Sequence, residues 1–169
     1  MKKLLFLLCL LSWSALNAQK TINRPPFIAK ATETIEIAAV HLSDTATVID
    51  VDAKFTPKYW IRIAPATCLV AVNGERYQVR QGVGIELGQE FWMPESGEAT
   101  FSLIFPPLPP SVKSFDFVEG EGERDFNLFG ISLTGKLPKL QLPKGLEKAG
   151  KMTAVALPTP EIKEGTAII

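Results

Sequence analysis

Histidine occurs once in these 169 residues and cysteine twice. Each scarcity closes a route to catalysis. A nucleophilic triad needs a base and a group that orients it. The only histidine, His41, ends a strand-like run with no neighbouring Ser, Cys or Asp pattern to make it that base. A thiol–disulfide site needs two thiols in a C-x-x-C pair, whereas Cys9 and Cys68 lie far apart. Neither sign of charge prevails, since 18 Lys and Arg stand against 18 Asp and Glu. A basic footprint for nucleic acid is therefore missing. Nor is there an apolar run of the roughly 20 residues that a membrane-spanning helix requires. No cofactor and no metal is expected.

What is present begins with a leader. In "MKKLLFLLCLLSWSALNAQK", Lys2 and Lys3 precede the short apolar run Leu4 to Trp13, and small residues follow up to Ala18. This is the anatomy of a secretory signal peptide over residues 1–18. Cys9 sits within the apolar run behind Leu8, which disfavours it as a lipid-attachment site. Once the leader is removed, Cys68 is the remaining thiol. It stands in the β-type run "TCLVAV" and is expected to be buried. With no disulfide, an exported domain of about 110 ordered residues must rely on its apolar core.

The rest of the chain alternates with the period of strands. Residues 19–30 read as an extended, proline-containing lead-in. In "TETIEIAAVHLS", Ile35 and Ile37 alternate with polar or small neighbours. In "TATVIDVDAKF", Ile49, Val51, Ala53 and Phe55 share one face, and Val48, Asp50, Asp52 and Lys54 the other. Such a strand meets a core on one side and water on the other. "YWIRIA" places Trp60, Arg62 and Ala64 opposite Tyr59, Ile61 and Ile63. Asn73-Gly74 between two β-type runs predicts a hairpin with a type I′ turn. Glycines 82, 84 and 88 mark a loop or short edge segment. Phe91 to Met93, Ala99 to Phe105, Ser114 to Glu119 and Phe126 to Leu133 complete the strands. The "PPLPPS" between two of them cannot continue a ladder, because proline has no N–H to donate, so it must cross an edge or a corner.

About eight short strands with turns every 8 to 12 residues or so predict an all-β chain. The expected fold is an immunoglobulin-like antiparallel β-sandwich over residues 31–134, with a small open barrel as the alternative. Residues 135–169 change texture, with four prolines, many lysines and no aromatic residue. They read as a linker or tail, ending in what looks like the start of a second β domain.

Several groups invite a chemical reading. Asp50 and Asp52 share a strand face and would hold a hard cation if a third oxygen faced them; a solvated strand face is the reading favoured. Asp52 and Arg62, on consecutive strands, are placed to pair. Glu119, Glu121 and Glu123 alternate with glycines in "EGEGERD" without the Asp-rich spacing of a calcium loop, and read as an acidic hairpin tip. "GVGIELG" precedes no helix and is no phosphate cradle. Tyr59, Trp60 and Trp92 suit either a core or an exposed platform for sugars and peptides; core packing is weighed more heavily. The candidate binding surface therefore comprises Trp60 and Trp92, Pro107 and Pro110 of the proline corner, and Glu119, Glu121 and Glu123 of the acidic loop, on the ground that loops carry function more often than core strands.

The stretches "RPPFIA", "LSDTATVIDVDAKFTPKYWIRIA", "MPESGEATFSLIFPPLP" and "SFDFVEGEGERDFNLFGISL" together resemble the N-terminal β-sandwich domain of exported Bacteroidota thioredoxin-like thiol–disulfide oxidoreductases. The resemblance runs from about Arg24 to Leu133, and "ALPTPEIKEGTAII" is similar to the start of the β region that follows in those longer proteins. It implies a redox label by family. The C-x-x-C pair that would do the chemistry does not occur in this chain, so no redox residue carries over. The expectation is a non-catalytic accessory or interaction module in the periplasm or outer cell envelope, a truncated form of a longer protein. Its partner would be another protein, a neighbouring domain or a glycan. Nucleic acid is not expected as a partner, nor a membrane span after leader removal.

Overall fold

A computed structural model describes residues 20–120, 122 and 125–137. The expected leader at residues 1–18, Glu121, Glu123 and the expected tail beyond residue 137 lie outside the described residues. Twelve strands follow in chain order: β1 (Lys20–Asn23), β2 (Ala29–Lys30), β3 (Ile35–Leu42), β4 (Thr47–Lys54), β5 (Trp60–Ile61), β6 (Cys68–Ala71), β7 (Arg76–Gln78), β8 (Gln81–Val83), β9 (Phe91–Trp92), β10 (Glu98–Phe105), β11 (Ser114–Val118) and β12 (Leu128–Ser132). No helix occurs among the described residues. One sheet runs β1-β3-β4-β10-β8, a second β2-β12-β11-β6-β7, and β5 and β9 form a two-stranded ladder. All pairings are antiparallel.

The two large sheets bury their inner faces against each other, the arrangement of a β-sandwich. Alternation decides which side chains point inward. On β4 these are Thr47, Ile49, Val51 and Ala53; on β10, Phe101, Leu103 and Phe105; on β11, Phe115 and Phe117. Phe105 meets Phe117 edge to face across the sheets, with ring centroids 6.3 Å apart. Each buried Ile, Val, Leu or Phe among them contributes about 1.5–3 kcal/mol. Phe55 departs from the expected face: β4 ends at Lys54, the Phe55 N–H donates to the Gly97 carbonyl at 2.9 Å, and the ring is exposed.

A bulge in β3 changes which residues face the core. Ile37 stands opposite Val51 and Ala39 opposite Asp50, so Ala38 is an extra residue. A one-residue insertion exchanges the two faces of everything after it. Val40 is thereby fully buried and His41 is turned outward.

The predicted hairpin is present, with Leu69 opposite Tyr77. Its turn is not type I′. Gly74 donates to the Ala71 carbonyl at 2.8 Å and alone takes positive φ, while Asn73 accepts the Glu75 N–H on its side-chain oxygen at 3.1 Å. The loop is three residues long, with glycine at the left-handed position, which is the next most common hairpin solution. The lead-in does more than approach the fold. Its β1 pairs with β3 in one sheet and β2 with β12 in the other, so the sandwich begins at Lys20 rather than at residue 31. The proline corner does pass from one sheet to the other. Within it Leu108 is buried, and its N–H donates to the buried Thr47 hydroxyl at 3.0 Å.

Candidate functional site at the aromatic end

The four residues Thr56-Pro57-Lys58-Tyr59 make a turn in which the Tyr59 N–H donates to the Thr56 carbonyl at 3.1 Å. Pro57 presets φ at the second position, and Lys58 takes φ +63° at the third, a place that normally calls for glycine. Lys58 N–H then donates to the Met93 carbonyl at 3.2 Å, and Met93 N–H to the Tyr59 carbonyl at 2.8 Å. Two residues therefore face one, a bulge whose left-handed first residue is usually glycine. Left-handed backbone at a non-glycine residue costs about 1–2 kcal/mol. Lys58→Gly is accordingly expected to raise unfolding stability by about 1 kcal/mol in urea melts; an unchanged or lower midpoint would show that the turn carries no strain.

Bulges re-aim side chains, and this one reverses the expected pattern. Ile61, Ile63 and Met93 are buried. Tyr59, expected on their face, turns outward and is 63% exposed, with Trp92 at 61% and Trp60 at 41%. The expectation that these aromatics fill the core is thus corrected. Trp60 lies directly opposite Trp92. The Met93–Tyr59 hydrogen bond places this pair at a non-hydrogen-bonded position, where facing side chains are closest.

Beside them lies an open groove of about 770 Å³ whose wall includes Phe55, Tyr59, Trp60, Arg62, Thr32 and Phe126. The Arg62 guanidinium sits 5.9 Å from the centroid of a Trp60 ring, a cation–π contact that holds both groups. Arg62 does not form the expected pair with Asp52, which instead accepts from Arg24 at 3.1 Å.

Glu119 closes the inner end of the groove. It is not part of a solvated acidic tip: the residue is 8% exposed. One carboxylate oxygen accepts the Ala64 N–H at 2.7 Å and the other accepts the Phe126 N–H at 2.8 Å. Its own N–H donates to Asn127 Oδ1 at 2.9 Å. Burial pushes the Glu119 carboxyl above the usual range, against the two N–H bonds and the Arg62 charge, which pull it down.

Pro107 and Pro110 lie elsewhere. The eight residues of β10 run from the Gly97 end, where Phe55 sits, to the proline corner, a distance of about 25 Å at 3.4 Å per residue. Pro107 is half-buried and Pro110 exposed. Trp60, Trp92 and Glu119 thus share one end of the sandwich and the prolines the other.

One constellation was not legible in the sequence. Thr21 Oγ1 lies 2.9 Å from His41 Nδ1, His41 Nε2 lies 2.8 Å from Asp50 Oδ2, and the Ser102 hydroxyl donates to Asp50 Oδ1 at 2.7 Å. The row links β1, β3, β4 and β10 across an outer face. Burial pushes the Asp50 carboxyl up, but the bonds from Ser102 and His41 outweigh it and hold the group below its ordinary value. Asp50 and Asp52 do share that face, yet each is engaged by these partners, and the described residues hold no cluster of metal-ligating side chains. A second shallow groove on the same side, about 670 Å³, is lined by Glu36, Asp52, Lys54 and Glu98. Its charges are spent on one another and on Arg24. Cys68 is 2% exposed, as expected for a buried thiol. Comparison of this chain with family models, with curated proteins and with solved structures found no match.

Proposed function

We propose that this chain is a non-catalytic, exported interaction module, an immunoglobulin-like sandwich that works by contact through its aromatic end. The single observation that carries the reading is the exposure of Tyr59, Trp60 and Trp92 together. A completed core leaves isolated apolar residues outside as a matter of course, but a contiguous aromatic patch beside a groove marks an interaction site. The strained turn at Lys58 supports it, because strain of this kind gathers where geometry serves function. The leader at residues 1–18 supports export to the periplasm or outer envelope. The resemblance to the N-terminal domain of thioredoxin-like oxidoreductases supports an accessory role beside a partner or neighbouring domain.

A thiol–disulfide activity is the competing reading by family resemblance. The buried Cys68 argues against it, since a reactive thiol must be exposed and ionised. The protein is expected to give no turnover in an insulin-reduction assay. Turnover lost in Cys68→Ala would reverse this assignment. The contact reading itself predicts that the envelope fraction of the producing cells retains the protein, and that Trp60→Ala/Trp92→Ala lowers retention at least about tenfold. The variant's urea midpoint should stay within about 1 kcal/mol of the parent, because both side chains are largely in solvent. Equal retention of the two proteins would refute the contact surface.

A further inference from the structure

We infer that the occupant of the aromatic groove is a neutral oligosaccharide, laid with the C–H faces of its rings against Tyr59 and Trp60 and reaching onto Trp92, which stands opposite Trp60 beside the groove. This inference rests on the contact reading above and names its ligand class. Three features of the groove select that chemistry. First, its apolar surface is aromatic and outward-facing, supplied by Phe55, Tyr59 and Trp60 rather than by the aliphatic pockets that an amphipathic helix fills. A sugar ring presents a flat patch of C–H bonds that such a surface can cover, and keeps its hydroxyls at the rim. Second, the rim is polar. Thr32, Thr34, Glu33, Arg62 and Asp125 line the groove next to the rings. Hydroxyl groups can both donate to and accept from this set.

Third, the charges there are already engaged, Asp125 Oδ2 among them, which accepts the Gly122 N–H at 2.7 Å. Glu33 is held by Lys30 at 2.6 Å. Glu119 spends both oxygens on backbone N–H groups, and Arg62 lies over Trp60 within reach of the Glu119 field. The lining's acidic excess, Glu33, Glu119 and Asp125 against Arg62, repels a phosphate backbone or an acidic peptide, and a basic peptide would have to compete for carboxylates that are already engaged. A ligand without charge loses nothing here. Preorganisation adds to the case: the β5–β9 pairing and Arg62 hold Trp60 in place before any ligand arrives, which spares ordering entropy on binding.

The test uses tryptophan fluorescence, because Trp13 lies in the leader and Trp60 and Trp92 are the other two of the chain's three tryptophans. The purified protein is titrated with cellohexaose, maltohexaose, mannohexaose and chitohexaose. At least one is expected to give a saturable change, with affinity falling about tenfold or more in Trp60→Ala and in Trp92→Ala. Trp60→Phe, which keeps a ring, should recover part of the loss. Arg62→Ala should weaken binding several-fold, and raising the salt should leave it within about twofold, as fits an uncharged ligand. Urea melts of each variant separate lost binding from lost folding. Flat titrations with all four glycans up to about 10 mM would overturn the inference, as would binding that ignores both tryptophans or collapses in salt. Should a proline-rich peptide or a second copy of the chain bind in a tryptophan-dependent way while the glycans do not, the ligand class falls and the contact surface stands. Should envelope retention also ignore the tryptophans, both fall.

Discussion

Phe117→Ala is expected to cost about 3–5 kcal/mol of unfolding stability, the largest effect of any single substitution considered for this protein. Phe117 has no exposed surface. It stands at the middle of its sheet, with Leu69 of β6 opposite on one side and Leu128 of β12 on the other. Its ring also meets Phe105 edge to face at 77°, the one ring pair among the described residues that joins the two large sheets. Removing it takes away transfer energy, opens a cavity and breaks an aromatic pair worth about 0.5–1.5 kcal/mol beyond area. Domains of this size are stable by only about 5–15 kcal/mol, so the change consumes about a fifth of the total or more. The check is the urea midpoint, read beside Val72→Ser at the exposed hairpin tip, where the shift should stay within about 0.5 kcal/mol. A Phe117→Ala loss below about 1 kcal/mol would mean that the sheets do not pack through this residue.

Glu119→Ala is expected to cost about 2–4 kcal/mol, although its residue type alone suggests a harmless surface carboxylate. The carboxylate ties three segments together: the end of β11 that carries it, the Ala64 backbone and the Phe126 backbone. Its loss leaves two N–H groups without acceptors near the groove floor. Glu119→Gln keeps one good acceptor and sets an amide N–H₂ against the other donor, so it should fall between alanine and the parent. The pH dependence follows from the raised carboxyl. A folded-state value above the unfolded one means that the native protein takes up this proton first as pH falls. Stability from Glu119 is therefore fully present below the unfolded value, near 4.5, and is lost as pH rises through the folded value. The margin of the parent over Glu119→Gln should narrow across that interval. A margin that widens with pH would show that the N–H bonds outweigh burial.

The extent to which sequence forecasts this molecule differs residue by residue. β4 and β10 were legible because strict alternation needs only neighbours along the chain: Ile49, Val51 and Ala53 face inward, as do Phe101, Leu103 and Phe105. The proline corner was legible because a missing N–H bars a ladder wherever it occurs. Tyr59 was not, because strand parity assigns it to the side of Ile61 and Ile63, and the bulge at Lys58 overrides parity. Lysine gives no hint of left-handed backbone. Glu119 was misplaced because its acceptor role depends on Ala64, which is 55 residues away. The row from Thr21 to Ser102 shares that cause, since only the β3 bulge and the strand order bring its four side chains onto one face.

Local rules thus determine what each segment of this chain is. Period-2 burial, proline without a donor and glycine at a turn act within a few residues, and they suffice for an all-β chain with its corner and its hairpin. Tertiary structure decides where the aromatics go and what the carboxylates do. Both depend on bulges that flip a face and on backbone donors from distant loops, and those partners exist only once the two sheets have closed on each other.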